Sequence, residues 1–321
     1  MKRKILLSVA VVLVLLAGCK KKPNEQNIQI SRYEKAVFSI DPKNIKQDLK
    51  ALYPEYEVFL GQDYMDTNNI LRLYNFITDP EISTIYETTM EVYPDLDFLE
   101  TELSKAFSNI QKHYPDFVVP KVYTYVSGLD LENPVIYFDT TLIIAIDLFL
   151  GDTQEVYLRA GIPQYKINRL TKDHILPQCV VAIADNYIKI PDRNNTLLDL
   201  MLLAGKEMCF LDAALPNVAP EYKIGFTKQQ WEWAEANEKN IWRLLIQEQL
   251  LYTTNRRAIV KFMSDAPFTK GMDEAAPARL GVYIGWKIIN SYIKTNSSVS
   301  LSDIMSNTDS QDILNQSGYK P

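Results

Sequence analysis

Histidine is scarce in this sequence. The 321 residues carry two, His113 and His174, far apart in the chain. A zinc hydrolase needs nitrogen, sulfur or carboxylate ligands around one open position, and neither histidine has a second at ligand spacing. A serine triad would have to recruit one of the two, and no Gly-x-Ser-x-Gly elbow is present. No phosphate loop and no dinucleotide fingerprint occurs either. His113 precedes Tyr114-Pro115 at an expected helix end, where a cation offsets the helix dipole. His174 follows Lys172-Asp173 in the first turn of another expected helix. Both read as structural.

An excess of positive charge is missing too. The formal net charge is −6, which argues against a nucleic-acid partner and against a surface that hugs anionic lipid. No apolar run is long enough to span a membrane. The longest near the start, Ile5 to Ala17, is 13 residues broken only by Ser8, against the roughly 20 that a spanning helix needs. Preceded by the basic "MKRK" and followed by "LAGC", it reads instead as a lipoprotein signal over residues 1–18, with cleavage before Cys19 and acylation of its thiol. The chain is then tethered to a membrane without crossing it. Residues 19–31 form a polar linker, and the one basic cluster, Lys20 to Lys22, sits where a juxtamembrane tether would. Loss of the signal removes three cations (Lys2, Arg3, Lys4) and no acid, moving the net charge from −6 to −9.

Cysteine is the third scarcity. Besides Cys19 only Cys179 and Cys209 remain. A disulfide is open to them in an oxidising compartment, but both lie in apolar helical stretches, where free cysteine packs as a small hydrophobe. Two buried thiols are expected. Internal repeats and low-complexity segments beyond the tether are absent.

What the chain does have is 47% hydrophobic content, enough for a large core over residues 32–321. "RYEKAVFSID" (32–41) alternates as a strand would. "PKNIKQDLKALYP" (42–54) starts with proline at a helix N1 position, and "NNILRLYNFIT" (68–78) is a short striped helix. In 96–115, Leu99, Leu103, Ala106, Phe107 and Ile110 recur at three and four. Two β-rich runs, 117–128 and 134–151, flank Asp130 and Asn133-Pro134, so a hairpin or adjacent strands are expected. Helices follow at about 163–171, 173–189, 196–211, 228–252 and 278–294. In the last, Gly281 and Gly285 share a face, which suggests a close helix crossing. Early strands followed by many helices, without βαβ alternation, indicate an α+β fold, mainly helical with a small mixed sheet.

Two polar features interrupt apolar helix faces. "LLDLMLLAGKEMCFLDAALP" (197–216) carries the insert Gly205-Lys206-Glu207-Met208-Cys209, where a zinc peptidase would place two histidines one turn apart. In 228–252 the stripe runs Trp231, Ala234, Ile241, Leu245, with Glu238 in its middle and Asn237 beside it. A carboxylate there is either at the stripe's edge or buried and paired. Lys206 and Glu238 form an internal ion pair on one reading. On the other, Lys206 reaches solvent and Glu238 meets Lys239, Arg243 or nothing. The scattered tyrosines carry no comparable signal.

Taken in order, "RYEKAVFSID", "FVVPKVYTYVSGLD", "IAIDLFLG", "GKEMCFLDAALP", "QWEWAEANEKNIWRLL", "DAPFT", "ARLGVYIGWKIINSYI" and "ILNQSGYKP", with the lipobox at Cys19, resemble the gliding-motility lipoprotein GldB family of the Bacteroidota over nearly the whole mature chain. The resemblance implies a lipid-anchored envelope protein tied to the gliding and type IX secretion machinery, with other envelope proteins as partners. It further implies a zincin-like, metalloprotease-like single domain over 32–321 that has lost its chemistry. Gly205 and Cys209 then stand at the two histidine positions of the active helix and Lys206 at its general-base glutamate, leaving no metal, no cofactor, no catalytic residue and no small-molecule substrate. A glycine has no side-chain donor and a lysine has the wrong charge for a base beside Zn²⁺.

The function expected is non-catalytic protein interaction, with a strand within 136–149 accepting a peptide by β-addition. The alternatives are a hydrolase built on Cys209 or on Asp212, Glu232 and Glu235, and a solute-binding lipoprotein, which usually shows two α/β lobes. The periplasmic side is favoured. Lys20 is not the aspartate that retains some lipoproteins in the inner membrane, and "CKKKPNE" lacks an acidic export cluster, so inner and outer membrane both stay open.

Overall fold

A computed structural model of the protein describes residues 28–191 and 195–321. The signal, Cys19, the Lys20–Lys22 cluster and most of the linker lie outside the described residues. In chain order, β1 (Ile30–Arg32) leads into α1 (Tyr33–Phe38), α2 (Ile45–Leu60), α3 (Thr67–Thr78), α4 (Pro80–Val92) and α5 (Asp97–His113). Then come β2 (Lys121–Tyr125), β3 (Val135–Phe138) and β4 (Thr141–Ala145). The remainder is helical: α6 (Glu155–Arg159), α7 (Gln164–Ile167), α8 (Ile175–Ala184), α9 (Leu197–Ala214), α10 (Pro220–Ile224), α11 (Lys228–Gln247), α12 (Arg256–Met263), α13 (Leu280–Thr295), α14 (Leu301–Ser306) and α15 (Ser310–Ser317). This is the mainly helical α+β chain with a small mixed sheet that the sequence indicates.

The sheet runs β1-β2-β4-β3. β1, β2 and β4 are parallel neighbours, and β3 pairs antiparallel with β4 at one edge, Ile136 opposite Ile143. The hairpin therefore lies inside 134–151, and the two β-rich runs meet as adjacent strands, β2 beside β4. Its two-residue turn places Asp139 and Thr140 at φ 42° and 60°, the left-handed pair that lets a tight turn follow the strand twist. Leu142 and Ile144 of β4 face the main core, whereas Ile143, with Tyr123 of β2, packs against Tyr56 of α2.

The expected strand over 32–41 is a correction. Pairing stops after Arg32 and residues 33–38 coil into α1. Alternation and helical spacing overlap in so short a window, since Tyr33, Ala36 and Val37 also fall at three and four. The contact that holds the turn is not local: Glu34, fully buried, receives Arg32 Nε at 2.6 Å and the Thr124 hydroxyl at 2.9 Å. Ile28 is buried and β1 starts at Ile30, inside the span read as linker.

The main core is organised by the crossing of α9 and α13. A Cβ at Gly285 would overlap the carbonyl oxygen of Met201, and one at Gly205 the carbonyl oxygen of Gly285. Gly281 meets Met263 Sδ and the Phe262 carbonyl in the same way. The close crossing expected of Gly281 and Gly285 is present, and Gly205 is its third member. α9 starts with a capping box, Thr196 and Asp199 exchanging hydrogen bonds with each other's backbone N–H. No helix among the described residues is long and apolar enough to cross a membrane.

Candidate functional site

Three of the expected positions on α9 point away from any opening. Gly205 is pressed onto α13. Lys206 is 2% exposed and its Nζ donates to the main-chain carbonyl of Asn307 at 2.5 Å. Burial lowers its pKa from 10.5 to about 8. Cys209 is a buried free thiol whose pKa burial pushes up to about 12, with the Asp212 charge adding to the shift. A nucleophilic or metal-binding cysteine needs its thiolate, and burial disfavours that form here. Cys179 is likewise free and buried, its pKa raised by desolvation.

The ion pair between Lys206 and Glu238 is also a correction: no ion pair joins them among the described residues. Glu238 accepts from the Tyr283 hydroxyl at 3.0 Å and the Tyr319 hydroxyl at 2.9 Å, and Lys287 Nζ lies 3.5 Å away. α11 and α13 pack so that this carboxylate closes a knot with the chain's C-terminal segment. The carboxylates considered for a hydrolase do not gather. Asp212 is held by Lys223 Nζ and Trp286 Nε1, both at 2.7 Å, and Glu232 and Glu235 are exposed on α11.

The residue of the insert that does face an opening is Glu207. Leu200, Leu203 and Glu207 recur at three and four along the least covered face of α9. At its far end Glu207, with Met208 beside it, lines a cavity of about 250 Å³ between the start of β3, α8 and the 222–225 turn. Asp185, the residue that ends α8, stands exposed on the rim. A carboxylate at a helix C-terminus opposes the dipole, a cost with no structural return here. No hydrogen bond or direct ion pair reaches the carboxylate of Glu207 or of Asp185 among the described residues. Desolvation first, then the Asp185 charge, raises the Glu207 pKa from 4.5 to about 7, with Arg279 pulling the other way.

The cations of the same cavity are already engaged. Arg169 Nη1 meets Asp265 Oδ1 at 2.5 Å, and Arg279 Nε lies 3.8 Å from the same oxygen while its Nη1 donates to the Ile224 carbonyl at 2.6 Å. Arg279 reaches there because its backbone is left-handed (φ 61°) just ahead of α13, an uncommon state for a non-glycine residue. Lys223 is paired with Asp212. His174, 4% exposed, binds the Thr171 hydroxyl through Nδ1 at 2.8 Å, stacks edge-on with Tyr222, and leaves Nε2 without a partner among the described residues. Burial, then Arg169, lowers its pKa to about 4, so it is neutral at pH 7. The expectation that His174 is structural thus holds for one ring nitrogen only. A second cavity, about 520 Å³, shares His174 and Tyr222 as a wall.

Chemically the cavity offers two uncommitted carboxylates and a neutral imidazole. A zinc ion does not fit the α9 positions, and no group of three histidine, cysteine or acidic side chains able to hold a metal occurs among the described residues. A model of the family described as gliding motility protein GldB matches residues 19–321. This chain belongs to the GldB family. Membership implies a part in gliding motility. No curated protein and no solved structure matches the chain.

Asp185 and Glu207 were absent from the sequence-level candidates. A signal existed for each: an acid closing an apolar helix, and an acid on the Leu200–Leu203 stripe.

Proposed function

We propose that this GldB-family chain is a lipid-anchored component of the cell envelope that serves gliding motility by binding a partner protein rather than by catalysis. The family match begins at Cys19, the residue where the lipoprotein signal places acylation. The observation that carries the binding role is the outer edge of β3. Ala145 N donates to the Pro134 carbonyl at 2.9 Å, and with Val135 opposite Ile144 the alternation of an antiparallel ladder turns the N–H and C=O of Val135 and Tyr137 outward. Nothing among the described residues bonds to them, and an extended peptide can continue the sheet there.

The zincin-like descent is part of the same reading. An antiparallel edge strand beside the cavity-facing helix supports it. Shifted by one residue from the sequence-level placement, the general-base position of a His-Glu-x-x-His helix falls on Glu207 and the ligand positions on Lys206 and Phe210. Neither of those can ligate zinc where it lies. Glu207, titrating near neutrality, favours one second reading, a hydrolase with Glu207 as general base.

Three measurements test the proposal. Cys19→Ala is expected to move the chain from the membrane to the soluble fraction. In a gliding strain lacking its own copy, Tyr137→Pro, which removes one outward N–H, is expected to abolish rescue while leaving the chain folded. Metal analysis of the purified chain is expected to find no stoichiometric zinc; one tightly held ion per chain, or peptide hydrolysis lost in Glu207→Gln, overturns the non-catalytic role.

A further inference from the structure

Among the described residues, the buried carboxylates Glu34 and Asp147 and the half-buried Glu238 are all supplied with donors. Glu34 has Arg32 and Thr124. Asp147, fully buried, accepts from the Ser127 N–H and hydroxyl and from the Leu129 N–H, at 2.9–3.1 Å. Glu238 has two tyrosines and a lysine. Buried polar groups without partners are rare in folded proteins and call for a reason. Among the described residues two such atoms occur, Tyr114 Oη and His174 Nε2, and His174 shares its cavity with the half-buried Glu207 and the exposed Asp185, whose carboxylates also accept no hydrogen bond there. Lys223 is paired with Asp212, and Arg169 and Arg279 share the one carboxylate of Asp265, so with Glu207 and Asp185 ionised four acids stand against three cations and the balance is −1.

The position of β3 says what could supply the missing cation. Pro134 and Val135 line the cavity beside Asp185. Val135 and Tyr137 direct their side chains to the core face and their backbone groups to the free edge. A strand added to that edge would continue the same pleat, so every second side chain would project toward the α8–α9 side, where the cavity opens.

We infer that the partner segment added to β3 seats a lysine or arginine side chain in the cavity, its cation held by Glu207 and Asp185. This rests on the binding role proposed above and adds the chemistry of the partner. His174, neutral, is placed as a further polar contact at the cavity wall, and the two arginines, tied to Asp265, set the limit on how deep a cation can go.

The test uses the full chain and fluorescent nine-residue peptides of alternating valine and threonine, identical except for lysine, arginine, norleucine or glutamate at the centre. The basic peptides are expected to bind at least about tenfold more tightly than the norleucine peptide, the scale of one charge-assisted hydrogen bond. Glu207→Gln, which keeps the shape, is expected to erase that ratio, and Tyr137→Pro to abolish binding of every peptide. Equal affinity for all four centres, lost in Tyr137→Pro, overturns the cation site while leaving the strand-addition role intact. No binding by any peptide overturns both. Calcium or manganese alone raising the melting temperature in a Glu207-dependent way, without discrimination among peptides, makes the cavity a metal site and overturns the inference as well.

Discussion

Glu238 and Glu207 are glutamates on two long helices that both pack against α13, and they are treated in opposite ways. Glu238 on α11 is tied by Tyr283, Tyr319 and Lys287, and through Tyr319 it fastens the end of the chain to the helical core. Glu207 on α9 has a side chain with no hydrogen bond or ion pair among the described residues and a pKa raised mainly by desolvation. A carboxylate that holds a fold together is surrounded by donors. One that is desolvated and left without them destabilises the free protein and gains only when something arrives. The difference separates a structural acid from a candidate recognition acid without reference to any relative.

Four variants can break or sharpen that contrast. The largest effect is expected where neither acid is involved: Gly285→Ala drives a methyl into the Met201 backbone and should cost at least about 3 kcal/mol or prevent folding, since overpacking against main chain has no cheap relief. Chemical denaturation checks it, and a cost near zero would mean that the crossing is looser than described. Next, Glu238→Ala strands two tyrosine hydroxyls and a lysine, for an expected loss of about 2–3 kcal/mol. A loss below about 0.5 kcal/mol would erase the structural half of the comparison.

Glu207→Gln should act in the opposite direction. With a folded pKa of about 7 against 4.5 unfolded, the native chain holds a proton that the unfolded chain has released. The stability contributed by the group is complete below about pH 4.5 and falls away as pH rises to about 7. The variant is expected to be more stable than the parent at pH 8 by about 1 kcal/mol, reduced from the full shift because solvent reaches the cavity, and equal to it near pH 4. A destabilised variant at pH 8 would show that Glu207 has a partner in solution.

The smallest effect belongs to His174→Gln. The folded pKa of about 4 lies below the ordinary 6.5, so the stability tied to neutral imidazole is complete above pH 6.5 and lost as pH falls toward 4. The variant should flatten the stability curve in that acid window alone and leave the neutral limb unchanged. An unchanged acid limb would mean that the ring is protonated as it stands.

Much of the fold is legible in the chain's periodicities. The stripe Leu99, Leu103, Ala106, Phe107, Ile110 became the buried face of α5, and Gly281 with Gly285 announced a crossing. α4 was not among the expected helices, although it carries a plain start signal at Asp79-Pro80, where the Asp79 side chain accepts from the backbone of Glu81 and Ile82. Elements of five or six residues such as α6, α10 and α14 were not legible, because local pattern is too brief to distinguish helix from turn. The failure over 32–41 has another cause: Glu34 is bound by Thr124, some ninety positions later, and no local rule contains that partner.

The candidate site was half legible. The insert at 205–209 lies on the helix that lines the cavity, but Glu207 and Met208 line it, whereas Gly205, Lys206 and Cys209 do not. Consecutive helical residues are about 100° apart, so Lys206 and Glu207 look in different directions, and nothing in an apolar run says which direction another helix will cover.

From the sequence alone came the scarcity of ligand-forming histidines, the expectation of a lipoprotein signal ending at Cys19, the acidic balance and the helical majority, because each depends on composition or on neighbours close in the chain. The tertiary structure alone decided that Lys206 is capped by the Asn307 carbonyl, that Glu238 belongs to the C-terminal knot, and that Glu207, Asp185 and His174 meet beside the free edge of β3. Those outcomes depend on which surfaces pack together over long separations, and the desolvation that gives an acid its character is a property of that packing.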